Sequence, residues 1–143
     1  MQNKIIVGKN FPIILIPLID SAKKSIKIVV YDWRWYVNDP GNVVQLFNQA
    51  IVRAVRRGVK IQAIANNDFI IAVLNENGII AKKLSVHGLV HAKILIIDDN
   101  FVVIGSHNYT HSAFVVNKEI SVAFWDIPNI ADYNSFFDSL WLL

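Results

Sequence analysis

Ser25 to Tyr31 reads as a strand rich in Ile and Val, apolar on both of its faces. Such a strand is stable only with a layer above and a layer below, which puts it in the middle of a covered sheet. The flanking sequence supplies those layers. Phe11 to Lys24 has the pattern of a helix, with Asn10 as N-cap and Pro12 in the first turn; Pro17 should kink it or delay its start. Asn42 to Arg57 puts Val43, Leu46, Phe47, Ala50, Ile51, Ala54 and Val55 on one helical stripe. Arg53, Arg56 and Arg57 load its last turn before Gly58 stops it. Val59 to Ala65 is the next strand, Asp68 to Asn75 a short helix ending at Gly78, and Ile5 to Val7 a short strand in front.

The second half changes character. Leu89 to Ile97, Phe101 to Ser106 and Glu119 to Trp125 read as strands, and Asp98-Asp99-Asn100 is a tight-turn sequence that makes the first two a hairpin. After Pro128 comes a closing helix with Phe136, Phe137, Leu140 and Trp141 on one face. The expected fold is α/β: a single mixed β-sheet flanked by helices on both faces, forming one domain over residues 1–143.

Composition narrows the function classes. The chain is 54% hydrophobic and 17% charged, enough to build a core and too apolar for a disordered tail. It has no cysteine, which removes disulfide scaffolds, thiolate metal sites and cysteine nucleophiles together. A net charge of +3 leans mildly toward an anionic partner. The longest apolar run, Phe11 to Ile19, contains two prolines. It falls far short of the ~20 residues that span a bilayer. The stretch Asp20 to Lys24 after it offers no cleavage site of a secreted leader. That run reads as core, so no stable membrane association is expected, and a cytoplasmic location is the default.

The chemistry concentrates in His91-Ala92-Lys93, then Asp98, then Gly105-Ser106-His107-Asn108. Side chains alternate along a strand, so His91 and Lys93 share a face, as do Ser106 and Asn108. The hairpin brings the two pairs side by side. An imidazole, an ammonium, a hydroxyl and an amide then converge, a donor-rich set that suits a phosphate better than a carbonyl or a metal. Asp98 lies seven residues after His91 and should face the other way, hydrogen-bonding the turn backbone. Glu119, preceded by Asn117, is the better partner for His91. Its carboxylate could accept the Nδ1 proton and leave Nε2 free to attack.

His91, Lys93, Asp98, Gly105, Ser106 and Asn108 match in full the HxKx4Dx6GSxN signature of the phospholipase D superfamily, and Asn117 and Glu119 resemble its continuation. The front half is similar too, in the strand ending near Tyr31 and the helix closing on Arg56-Arg57-Gly58. The resemblance implies a phospholipase D-like fold and a phosphodiesterase needing no metal or other cofactor. One histidine attacks phosphorus to form a phosphohistidine, and the histidine of a second motif protonates the leaving oxygen and later activates water. Lysines and asparagines of both motifs hold the non-bridging oxygens. This chain carries one HxK only. The resemblance therefore implies a homodimer with one composite site on its two-fold axis. His91, Lys93, Ser106, Asn108 and Glu119 are the expected catalytic set, with Asp98 and Gly105 structural.

Other residues admit two readings. His87 and His91, like His107 and His111, are spaced as metal ligands would be on a helix, but these segments read as strand and loop, so no metal site is expected. His107 should point away from Ser106 and Asn108. Trp33-Arg34-Trp35-Tyr36 follows the central strand at its C-terminal end, where α/β sheets place ligands. These residues form either an aromatic wall for bases with Arg34 on a phosphate, or a packed loop. Lys82 and Lys83 precede the motif strand and are candidates for substrate binding, as Arg53, Arg56, Arg57 and Lys60 are for a nucleic-acid track. The leading expectation is a nuclease acting on DNA or RNA. The alternatives are a lipid phosphodiesterase and a non-catalytic nucleic-acid-binding module.

Overall fold

The computed structural model describes residues 2–143. Its strands are β1 (Gln2–Val7), β2 (Ser25–Val29), β3 (Lys60–Ile64), β4 (Ile80–Lys82), β5 (Ile94–Ile97), β6 (Phe101–Gly105) and β7 (Ile120–Trp125). The helices are α1 (Asn10–Asp20), α2 (Val43–Arg56), α3 (Asp68–Glu76) and α4 (Ile130–Trp141), with a π-helical turn at Ser112–Val116. The strands form one mixed sheet in the order β1-β7-β6-β5-β2-β3-β4. β2, β3 and β4 run parallel, and the remaining neighbours are antiparallel.

β2 is an interior strand covered on both faces. Ile26 and Ile28 turn toward the larger core with Phe11, Leu15, Phe47 and Ile51 of α1 and α2, while Val29 joins a smaller core under Phe137 of α4. Lys27 shares that second face. Its ammonium escapes burial by meeting Asp99 at 3.0 Å and donating to Asn134 at 3.1 Å. α2 starts where Asn42 accepts from the Val44 N–H at 2.9 Å, and α3 where Asn67 accepts from Ile70 at 3.0 Å.

Several boundaries depart from the sequence expectations. Asn10 is the first helical residue and not the cap; Lys9 occupies that position with no side-chain bond. α1 ends at Asp20, short of Lys24, because the N–H groups of Lys23, Lys24 and Ser25 are all taken by the Asp98 carboxylate. Pro17 lies inside α1 and does not delay its start. β4 was not anticipated; three residues are too few to show a period. The expected strand from Leu89 begins only at Ile94, since β2 and β6 offer ladder partners no further than Val29 and Ile104. Phe137 is buried in α4, but Phe136 is 43% exposed and does not share that face.

One part of the sheet lacks a helical cover. α4 lies over β2, β3, β5 and the near part of β6. Beyond it, Ile5 and Val7 of β1 pair with Val122 and Ile120 of β7, and Val122 pairs with Ile104 of β6. Ile5, Val7 and Ile120 are each more than half exposed.

Candidate active site

The site forms where β5 and β6 leave the sheet. The β5–β6 hairpin turns through Asp98 and Asp99, both with positive φ, a conformation that aspartate tolerates better than most residues. Burial pushes the Asp98 carboxyl up, but the N–H groups of Lys24, Ser25 and Lys23 outweigh that and hold it below its ordinary value. Asp98 clasps the α1–β2 loop and not the turn's own backbone, where the sequence reading places its bonds.

Gly105 has a strict reason to be glycine. A Cβ there would stand 2.3 Å from the Cα of Ser121 and 2.2 Å from its hydroxyl. β6 and β7 approach this closely just where the chain leaves the ladder, and the approach sets the positions of Ser106 and Asn108.

His91 and Lys93 lie in extended chain just before β5. His91 is exposed, with its ring 5.1 Å from that of Tyr31. The Lys93 ammonium sits 3.1 Å from Nδ1 and 3.3 Å from Nε2 of His91 and donates to the His91 carbonyl at 2.9 Å. Burial lowers the pKa of Lys93, opposed by the charge of Glu119.

Asn108 is fixed by its oxygen, which accepts from the Asp32 N–H at 3.1 Å. Its segment is stitched to the one after β2, since Arg34 N–H donates to the Tyr109 carbonyl and Tyr109 N–H to the Asp32 carbonyl, each at 3.0 Å. With the oxygen engaged, the amide NH2 is the end left to donate to a ligand.

Glu119 corrects the sequence reading. Its Oε1 accepts from the Ser106 hydroxyl at 2.5 Å and its Oε2 from the Asn117 amide at 3.2 Å, so neither oxygen meets His91 Nδ1. The Ser106 hydroxyl also accepts from the Ile120 N–H at 3.0 Å, which occupies the group expected to hold a phosphoryl oxygen. The Gly105–Ser121 pair brings Ser106 opposite Ile120, the residue next to Glu119, within reach of that carboxylate. This short link across the strands pre-empts the longer reach to His91.

The remaining candidates divide. Trp33 is buried, and its indole N–H donates to Asn48 at 2.7 Å, so it has no face to offer a base. Trp35 is half-buried, and Arg34 is exposed and doubly bonded to Asp32. Lys82 does not reach the site; its ammonium donates to the Trp141 carbonyl and lies over that indole ring. Lys83 faces Asp68 at 3.5 Å. His107 is buried between the Ser121 hydroxyl and the Gly8 carbonyl, stacked on Phe11. Tyr31, beside His91, was not singled out from the sequence; its place as the last residue of the predicted central strand was the available signal.

The family described as "Cardiolipin synthase, PLD-like domain" matches residues 15–141. The chain belongs to the phospholipase D superfamily. Mitochondrial cardiolipin hydrolase of Xenopus laevis is 29% identical over 99 residues, covering 65% of this chain and 47% of that protein. The phospholipase D-like chain thus spans about half the length of this curated relative. Among solved structures, NucT from Helicobacter pylori is 26% identical with a TM-score of 0.78, covering 97% of this chain and 94% of its own. Nuc from Salmonella typhimurium, a phospholipase D family member, has a TM-score of 0.79 at 24% identity, covering 98% and 95%, and shares the fold. No helix among the described residues is long and apolar enough to cross a membrane.

Proposed function

We propose that this phospholipase D-like chain hydrolyses phosphodiester bonds of nucleic acid through a phosphohistidine on His91, in a site that a second copy completes. The observation that carries the reading is the Lys93 ammonium lying against the His91 ring while Asn108, held by its oxygen, has only donors to offer. An ammonium against an exposed imidazole, with an amide NH2 free to donate at the end of the neighbouring strand, suits a phosphate whose charge grows during attack. A ring nitrogen of His91 forms the bond to phosphorus, and the leaving oxygen departs with a proton from the partner's His91. Water, deprotonated by that same partner imidazole, then breaks the phosphorus–nitrogen bond and frees His91. Lys93 and Asn108 hold the non-bridging oxygens, while Ser106 and Glu119 act as positioning residues through the Asn117–Glu119–Ser106 chain of bonds.

The uncovered apolar face at Ile5, Val7 and Ile120 supports a second copy. It is continuous through Ile120 with Glu119, and a two-fold axis beside it would bring two sites together. The basic balance of +3 and the near-complete overlap in both directions with the NucT chain support nucleic acid. The family description and the cardiolipin hydrolase relative favour a second reading, a phospholipid diester.

The deciding experiment measures cleavage of plasmid, single-stranded oligonucleotides and cardiolipin vesicles in excess EDTA, wild type beside His91→Ala, with mass determined on the same samples. Nucleic-acid cutting by a dimer that vanishes in the variant is the expected result. Phosphatidic acid release without nicking would establish the lipid reading. Cutting unaffected by His91→Ala would overturn the site.

A further inference from the structure

Asn108 lines a pocket of about 380 Å3 together with Asp32, Arg34, Tyr36, His111 and Asn117. Tyr36 also forms a wall of a second cleft, of about 390 Å3, whose other lining residues include Trp35, Val37, Asn38, Asp39 and Phe69. Tyr36 lines both, so the aromatic recess adjoins the pocket that holds the motif asparagine. The Tyr36 side of the recess is rigidly built. Tyr36 N–H donates to Gln45 at 2.9 Å, its hydroxyl accepts from the His111 N–H at 3.2 Å, and Gln45 is itself buried and bonded by Asn48 at 3.0 Å. Phe69 on the opposite side is different. α3 buries Ile70 and Leu74, and Phe69 is 62% exposed, a large aromatic surface that packing does not account for.

We propose that this recess holds an unpaired nucleobase of the substrate strand, stacked against Phe69, Trp35 and Tyr36, so that the site takes single-stranded nucleic acid. The inference rests on the phosphodiesterase reading above and names its substrate class. Three aromatic side chains offer π-faces to any base. Bases in a duplex present only their edges, so a stacking recess selects strands that are already unpaired. Asp39 is the one charged side chain lining the recess, which makes it unsuitable for a phosphate and leaves the charge of the strand to Lys93. An acyl chain would also be uncharged, but it would meet the polar side chains of Asn38 and Asp39, which a base edge can satisfy.

The test compares wild type, Phe69→Ala and Phe69→Trp for binding to a labelled single-stranded oligonucleotide, to its duplex and to cardiolipin vesicles, with thermal melting as the fold control. Hydrolysis of bis(p-nitrophenyl) phosphate by wild type and by His91→Ala tests the underlying chemistry separately. The expected result is a loss of about tenfold or more in single-strand affinity for Phe69→Ala, recovery in Phe69→Trp, and no change on duplex. Unchanged single-strand binding by a folded Phe69→Ala overturns the recess, even where the small diester is hydrolysed. A loss confined to vesicles assigns the recess to lipid and overturns it too. No hydrolysis of the small diester by wild type removes the phosphodiesterase reading, and the inference with it.

Discussion

The Ser106 hydroxyl donates to Glu119 at 2.5 Å and accepts from the Ile120 N–H, so one oxygen joins the end of β6 to the start of β7. The signature serine is a strut that keeps the glutamate's charge beside Lys93. Ser106→Ala should lower kcat about tenfold, the equivalent of one charge-assisted hydrogen bond of about 1.4 kcal/mol, with KM little changed. Steady-state kinetics on a small phosphodiester would check the split.

Glu119 raises the affinity of Lys93 for its proton, against the burial that lowers it. If the protonated amine is the active form, activity falls as pH rises through a value below that of an ordinary lysine. Glu119→Gln removes a charge that holds that value up, so the alkaline limb of the pH–rate profile should move to lower pH. An unmoved limb would separate Lys93 from the titration.

His107 is neutral by preference, since burial lowers its pKa. The unfolded chain binds more protons than the folded one between the depressed value and the ordinary 6.5. Its contribution is therefore complete above the ordinary value and is lost as pH falls toward the depressed one. Urea midpoints measured from pH 7.5 to 5 should decline in wild type and decline less in His107→Gln.

Gly105→Ala sets a methyl group against the Ser121 backbone, which cannot swing aside as a side chain would. A loss of about 2–3 kcal/mol is expected, toward the upper end of ordinary overpacking. Chemical denaturation would read it, and His107, bonded to Ser121, should show altered NMR shifts.

Asn48 holds the Trp33 indole, the Arg34 carbonyl and Gln45 from within the core. Asn48→Leu leaves the buried indole N–H without an acceptor, at about 1–3 kcal/mol. It also frees the segment that carries Asp32, so KM for an oligonucleotide should rise along with the fall in urea midpoint.

These relationships mark how far the sequence could be read. The hairpin, the central strand and the meeting of Lys93 with His91 were legible because each follows from local alternation and a short turn. Glu119 was misassigned because the register of β6 against β7 is set across a connection that includes a π-helical turn, with no periodic pattern to announce it. Trp33 was left open between two readings, and Lys82 was misplaced, for a related reason. Their partners, Asn48 and Trp141, lie 15 and 59 residues away, and nothing local names them. Phe69 carried no signal at all, since an exposed aromatic in a helix's first turn looks the same in sequence as a buried one.

The pairing of β2 with β5 has a consequence for how the chain is made. β2 finds its parallel partner β3 early, but its other edge stays bare until Ile94–Ile97 has been synthesised. At about 5–20 residues per second, the ribosome leaves that edge open for seconds. For that interval an interior strand of the sheet is an unpaired template for any passing extended peptide. A holdase present during synthesis should improve yield by guarding this edge.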